Sequence, residues 1–236
     1  MNRVAAPIKF AEGWQLQGGV KALTVRLALT VAALVLWFWT QSLIGGRASA
    51  GNAIGDRLLD WTAPLNSYLF SHSSAANALL IVSSGIIDLL GIFLLARWIF
   101  GASTRPFVGL IIVLGLRQVA QALVSLPIPP NAIWHYPGFP SLLVTYAVAN
   151  DYFFSGHTAI AILALTEIIR MRHAWLSAFA VLIAIFEIVS VLALRVHYTM
   201  DVFTGVVTGL YAAYLAACIS KGLRTAPRSK ARWLRQ

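Results

Sequence analysis

The sequence predicts an all-α, polytopic membrane protein folded as a six-helix transmembrane bundle, and two observations carry that expectation. Apolar residues make up 59% of the 236-residue chain and charged residues only 11%, whereas a soluble domain carries about 25% charged residues. The apolar residues also fall in blocks near the roughly 20-residue length that crosses about 30 Å of hydrocarbon. The net charge of +10 sits at the ends of those blocks, which makes it a topology signal and not a nucleic-acid footprint. Cys218 is the single cysteine. An intrachain disulfide is thereby excluded, and redox chemistry is not expected.

The elements follow in order. Residues 1–26 form a basic segment, 27–220 the six-span membrane domain and 221–236 a basic tail. The first span is Leu27–Ile44. A signal peptide cleaved after Ala48-Ser49-Ala50 is its rival, but the preceding polar segment is too long for one. Gly45 to Ser74 reads as a mixed loop with an interfacial helix near Ala63–Phe70. The second span is Ala75–Ala96 and contains Asp88; the third is Phe107–Leu126 and contains Arg117. Pro127 to Asn150 is a loop rich in proline, glycine and aromatics, including Trp134-His135-Tyr136. The fourth span, Ser155–Ile169, is short. Ala174–Leu194 is the fifth and contains Glu187, and Val202–Ser220 is the sixth.

Orientation comes from the basic residues. The N-terminal segment, the turns at Arg97/Arg105 and Arg170/Arg172, and the tail hold 14 of the 18 Lys and Arg residues. With six spans these four segments share one side, which the positive-inside rule makes the cytoplasm. Both termini are then cytoplasmic, and the 127–154 loop and the 195–201 turn face the periplasm or lumen.

Two stretches on that outer side carry chemistry: Asn150 to Thr158, ending in Ser155-Gly156-His157-Thr158, and Arg195-Val196-His197-Tyr198-Thr199-Met200-Asp201. Ser155 is placed to cap the fourth span and Thr199 the sixth, and first helical turns favour an anion such as phosphate. Asp201, four residues after His197, can accept a hydrogen bond from one ring nitrogen and make the other a better nucleophile or base. His157 can protonate a leaving alkoxide. Arg117 and Arg195 can neutralise phosphoryl oxygens, with Ser155 and Gly156 beside them. An Arg117–Glu187 pair would lower the cost of both charges in the bilayer. Asp88 reads as a satisfied interhelical carboxylate, Glu167 as a partner of Arg170, and Gly205, Gly209 and Ala213 as a helix-packing face.

These residues carry a resemblance. Ser-Gly-His-Thr followed some forty residues later by His-Tyr-Thr-x-Asp resembles the lipid phosphotransferase branch of the type 2 phosphatidic acid phosphatase superfamily. That branch holds the sphingomyelin synthases and plant phosphatidylcholine:diacylglycerol cholinephosphotransferases. Arg117 followed by Leu126-Pro127-Ile128-Pro129 is similar to a segment of the same branch. The resemblance implies that His197 attacks phosphorus to give a phosphohistidine, that Asp201 supports it, and that His157 serves the leaving group and then the acceptor. Asp151 matches an aspartate four residues before the motif serine. Three departures separate the chain from the hydrolytic members: Trp98 stands where they have lysine, Phe154 where they have proline, and Val191 where they have arginine.

The expected partners are a phospholipid donor of phosphocholine or phosphoethanolamine and a diacylglycerol- or ceramide-like acceptor, with no cofactor and no metal. A zinc site built from His157, His197 and Asp201 is a competing use of the same side chains. A lipid phosphate phosphatase using water as acceptor is the alternative enzyme. A non-catalytic lipid-binding or transport protein is the alternative outside catalysis.

Overall fold

The computed structural model describes residues 54–124, 126–144, 146 and 153–225, together with Thr24, Ala28 and Val35. It divides the chain into two units, Met1–Gly55 and Asp56–Gln236. In the first, Thr24, Ala28 and Val35 are helical. The rest of the expected first span, Ala48-Ser49-Ala50, Asp151 and the tail beyond Thr225 lie outside the described residues.

Among the described residues the regular elements of the second unit are all helices: α1 (Arg57–Trp61), α2 (Ala63–Ser71), α3 (Ser73–Ile99), α4 (Arg105–Leu123), α5 (Gly156–Ile169), α6 (Ala174–Ala193) and α7 (Thr199–Thr225). Four of them are long and apolar enough to cross a membrane: α3, α4, α6 and the Thr199–Lys221 part of α7. Their outward faces present Leu89, Val119, Leu182 and Leu210, as lipid-facing helix surfaces do. This is a membrane protein.

Local chemistry sets the boundaries. Pro106 sits in the first turn of α4, where its missing N–H costs nothing. The same helix ends at Leu123 with Val124 extended, shortly before Pro127. That is three residues earlier than hydropathy suggested. α3 runs past its expected limits at both ends, because a hydropathy window trims polar turns that remain helical. α7 likewise begins at Thr199 and not at Val202.

α5 is the central helix. It packs most against α7 and α6 and also touches α3 and α4, and Gly156 through Ala164 are all buried. Its 14 residues cover only about 21 Å, short of a full crossing. The expected packing face on α7 is present. A β-carbon on Gly205 would lie 2.7 Å from the Ser155 carbonyl oxygen, and one on Gly209 2.8 Å from that of Ala159. Only glycine lets the two backbones approach this closely.

The irregular segment between α4 and α5 is tied down at several points. Asp88 on α3 accepts from Ser141 Oγ and from the Leu142 and Leu143 amides at 2.8–3.0 Å, so it is satisfied as expected, but by this segment and not by another helix. Buried Asn66 on α2 donates to Asn131 O at 3.2 Å and Ala193 O at 2.9 Å. Ile133 N donates to Leu194 O at 2.8 Å. These bonds hold the segment against the end of α6, next to the site.

Candidate functional site

The two histidine stretches meet at one end of the bundle. Ser155 caps α5, accepting from the Thr158 amide at 3.4 Å and from the Thr158 hydroxyl at 3.0 Å. Its own amide donates to the Asp201 carbonyl at 3.0 Å. One backbone hydrogen bond thus joins the start of α5 to the start of α7. His157, in the first turn of α5, and His197, in the turn before α7, are both buried and line the same cavity.

The turn bearing His197 is built by the end of α6. The Arg195 amide donates to Leu192 O at 3.1 Å and the Val196 amide to Val191 O at 3.0 Å, the paired bonds of a Schellman turn. Arg195 holds its left-handed position at φ 53°, where glycine is the usual choice. Its guanidinium donates to Pro130 O at 2.9 Å and Leu59 O at 3.2 Å. Sequence reading placed Arg195 on phosphate. The structure instead gives it two backbone carbonyls and does not bring it into the cavity lining.

Thr199 also departs from expectation: it is the first helical residue of α7, not its cap. Its amide and hydroxyl donate to Asp56 at 2.6 and 2.5 Å. Asp56 caps α1 as well, accepting from the Leu58 and Leu59 amides at 3.1 and 3.2 Å. Asp201, three positions into α7, reaches back to accept from the Tyr198 amide at 2.8 Å, one half of a capping box. The same oxygen lies 3.7 Å from His197 Nδ1, longer than a hydrogen bond. The expected His197–Asp201 hydrogen bond is therefore not formed in this geometry, and the carboxylate faces the ring while held by the backbone.

The cavity encloses about 340 Å³. Arg117, Gly156, His157 and His197 supply its polar wall with Gln118 and Gln121; Trp134, Leu143, Val144 and four aliphatic side chains supply the rest. Arg117 donates to the Phe154 carbonyl and lies close against Gly156, where a β-carbon would sit 3.1 Å from its Nε and 3.2 Å from its Cζ. The glycine of Ser-Gly-His is thus what admits the guanidinium beside the first histidine. One guanidinium, two imidazoles and a helix N-terminus, with no described acidic side chain in the lining, make a site for an anion. Trp134 stands edge-on to His157, ring centroids 5.9 Å apart, and packs against Tyr146 at 4.8 Å. Burial pushes the Tyr146 hydroxyl above the usual phenolic range, against the hydrogen bond it shares with Ser84.

Glu187 does not pair with Arg117. It accepts from Ser83 Oγ at 2.7 Å, and its other oxygen is buried without a hydrogen-bond partner among the described residues. Glu167 pairs with Arg170 as expected, and also with Arg105. Among the described residues no three His, Cys, Asp or Glu side chains are grouped to hold a metal ion.

A family model for AtPDCT1/2 matches residues 56–218, which takes in every described element of the site. The chain belongs to this family. The relationship to lipid phosphotransferases drawn from the two histidine motifs is thereby borne out. The AtPDCT1/2 match is accompanied by 23% identity over 149 residues to phosphatidylcholine:diacylglycerol cholinephosphotransferase 1 of Arabidopsis thaliana, covering 63% of this chain and 48% of that protein. The match thus spans about half the length of the curated relative. No solved structure matches significantly.

Sequence reading missed Asp56, although an aspartate directly before a leucine-rich turn is a capping signal. It also missed Gln118 and Gln121. Polar residues within one turn of an intramembrane arginine are signal enough to look for a site.

Proposed function

We propose that this protein is a membrane lipid phosphotransferase that moves a phosphate-linked headgroup, phosphocholine foremost, from a phospholipid to a diacylglycerol-like acceptor. The observation that carries this reading is the convergence of His157, His197 and Arg117 on one cavity. Membership of the AtPDCT1/2 family and the likeness to a cholinephosphotransferase support it. A ceramide-like acceptor and a phosphoethanolamine headgroup belong to the same proposal.

In the proposed mechanism the donor phosphate lies against Arg117 and the start of α5 at Gly156. His197, oriented by Asp201, attacks phosphorus through the ring nitrogen turned away from that carboxylate, and the P–O bond to diacylglycerol breaks. His157 gives its proton to the departing alkoxide. The acceptor hydroxyl then returns a proton to His157 and attacks the phosphohistidine, releasing His197. Arg195 acts through the backbone of the His197 turn, and Asp151 and Glu187 are supporting carboxylates. The membrane domain is proposed to have six spans, counting Leu27–Ile44 and short α5, with both termini cytoplasmic and the site on the outer face.

The test is to incubate purified protein with phosphatidylcholine labelled in the headgroup, with and without diacylglycerol or ceramide. A new labelled lipid that depends on acceptor and vanishes in His197→Ala supports transfer. Free labelled phosphocholine or phosphatidate turnover in water would make the protein a hydrolase. Lipid binding unchanged in His197→Ala, with no turnover in either protein, would make it a binding or transport protein.

A further inference from the structure

We propose that Trp134 is the specificity-determining residue for the headgroup, forming with the cavity wall a subsite for a quaternary ammonium. This rests on the phosphocholine reading above and deepens it. Trp134 lines the cavity with His157 and His197 and stands edge-on to His157 in the first turn of α5.

The subsite is built and held. Ile133 N donates to Leu194 O at 2.8 Å, and His135 Nε2 meets Asn77 Oδ1 at 2.7 Å. The residues on either side of Trp134 are therefore anchored to the turn before His197 and to α3. Tyr146 packs against the indole at 4.8 Å and shares a hydrogen bond with Ser84. The ring therefore has a fixed place before any lipid arrives.

The chemistry of the lining selects the ligand. The described lining has a single formal cation, Arg117, and no carboxylate, so the phosphate end of a zwitterion has its partner. A primary ammonium has three N–H donors to satisfy, and among the described lining residues the neutral side-chain oxygens that could meet them belong to Gln118 and Gln121. A trimethylammonium has no N–H, carries diffuse charge and is attracted to an indole, the strongest of the aromatic partners. The apolar neighbours Leu143, Val144 and Val196 suit its methyl groups.

The experiment measures binding separately from turnover. Full-length protein in nanodiscs is titrated with labelled phosphatidylcholine and phosphatidylethanolamine, and then assayed for transfer from each. The wild type is expected to prefer the choline headgroup. Trp134→Ala and Trp134→Leu are expected to weaken binding of phosphatidylcholine about 2- to 30-fold, the range for a desolvated cation–π contact. Phosphatidylethanolamine should change less than about twofold, and Trp134→Phe should keep part of the preference. Equal weakening of both lipids in Trp134→Leu, which keeps the apolar character, would overturn the proposal, as would a wild type with no preference. Choline preference lost in Trp134→Leu while neither the wild type nor any variant transfers a headgroup would uphold the subsite and refute the transferase. Competition by water-soluble phosphocholine equal to that by the lipid would assign the subsite to a soluble ligand and overturn its role in choosing the donor lipid.

Discussion

Gly205→Ala is the sharpest probe of how packing sets this site. The added β-carbon would sit 2.7 Å from the Ser155 carbonyl oxygen and 3.0 Å from Thr158 Cβ. Ordinary contact begins near 3.4 Å, so the start of α5 must retreat from α7 by roughly 0.7 Å. Overpacking of this kind costs about 1–3 kcal/mol, offset in part by up to about 1 kcal/mol of helix propensity. The displaced atoms belong to the residue that caps α5 and bonds the Asp201 carbonyl, two positions before His157. A misplacement near 1 Å is enough to slow chemistry about 100-fold. Gly209→Ala is the control, because it meets Ala159 O at 2.8 Å and Ile162 Cβ at 2.9 Å, one turn further from the histidines. Thermal unfolding in detergent and headgroup transfer in vesicles are measured on both variants. The expectation is similar loss of stability with a transfer rate at least about tenfold lower in Gly205→Ala than in Gly209→Ala. Equal rates, or a Gly205→Ala protein as active as wild type, would refute the claim that this contact sets the position of His157.

Asp56→Ala removes two α1 cap bonds and both bonds to Thr199, and should cost about 2–3 kcal/mol, read as a lower Tm, with Asp56→Asn intermediate. Asp201→Asn keeps an oxygen for the Tyr198 amide but loses the charge facing His197, so kcat should fall about 100- to 10,000-fold with little change in Tm. Arg117→Lys should raise the KM for donor lipid, because a lysine cannot reproduce the planar fork. Arg195→Lys should lower Tm instead and leave that KM within about twofold. Headgroup-labelled phosphatidylcholine without acceptor, quenched in alkali, should leave label on the wild-type protein, and none on His197→Ala.

Much of the fold was legible because membrane insertion acts on composition. A span must be apolar and near 20 residues long, so α3, α4, α6 and α7 stood out as blocks. The Gly205-Gly209-Ala213 spacing was legible for the same reason, since close helix contact admits only small side chains. Boundaries were less legible. Thr199 and Asp201 look like loop residues to a hydropathy window, and the Thr199 donors at the start of their helical turn are satisfied by Asp56, 143 positions earlier.

The site divides along the same line. Residue types and spacing alone determined that His157, His197 and Asp201 were the groups to follow, since imidazoles and a carboxylate at helix starts have few other uses in an apolar chain. Only the tertiary structure decided which arginine joins them. Sequence reading gave Arg117 and Arg195 the same phosphate role, but Gly156 leaves room for one guanidinium while the carbonyls of Pro130 and Leu59 occupy the other. Charge is written in the chain; where it points depends on backbone groups brought together from distant positions.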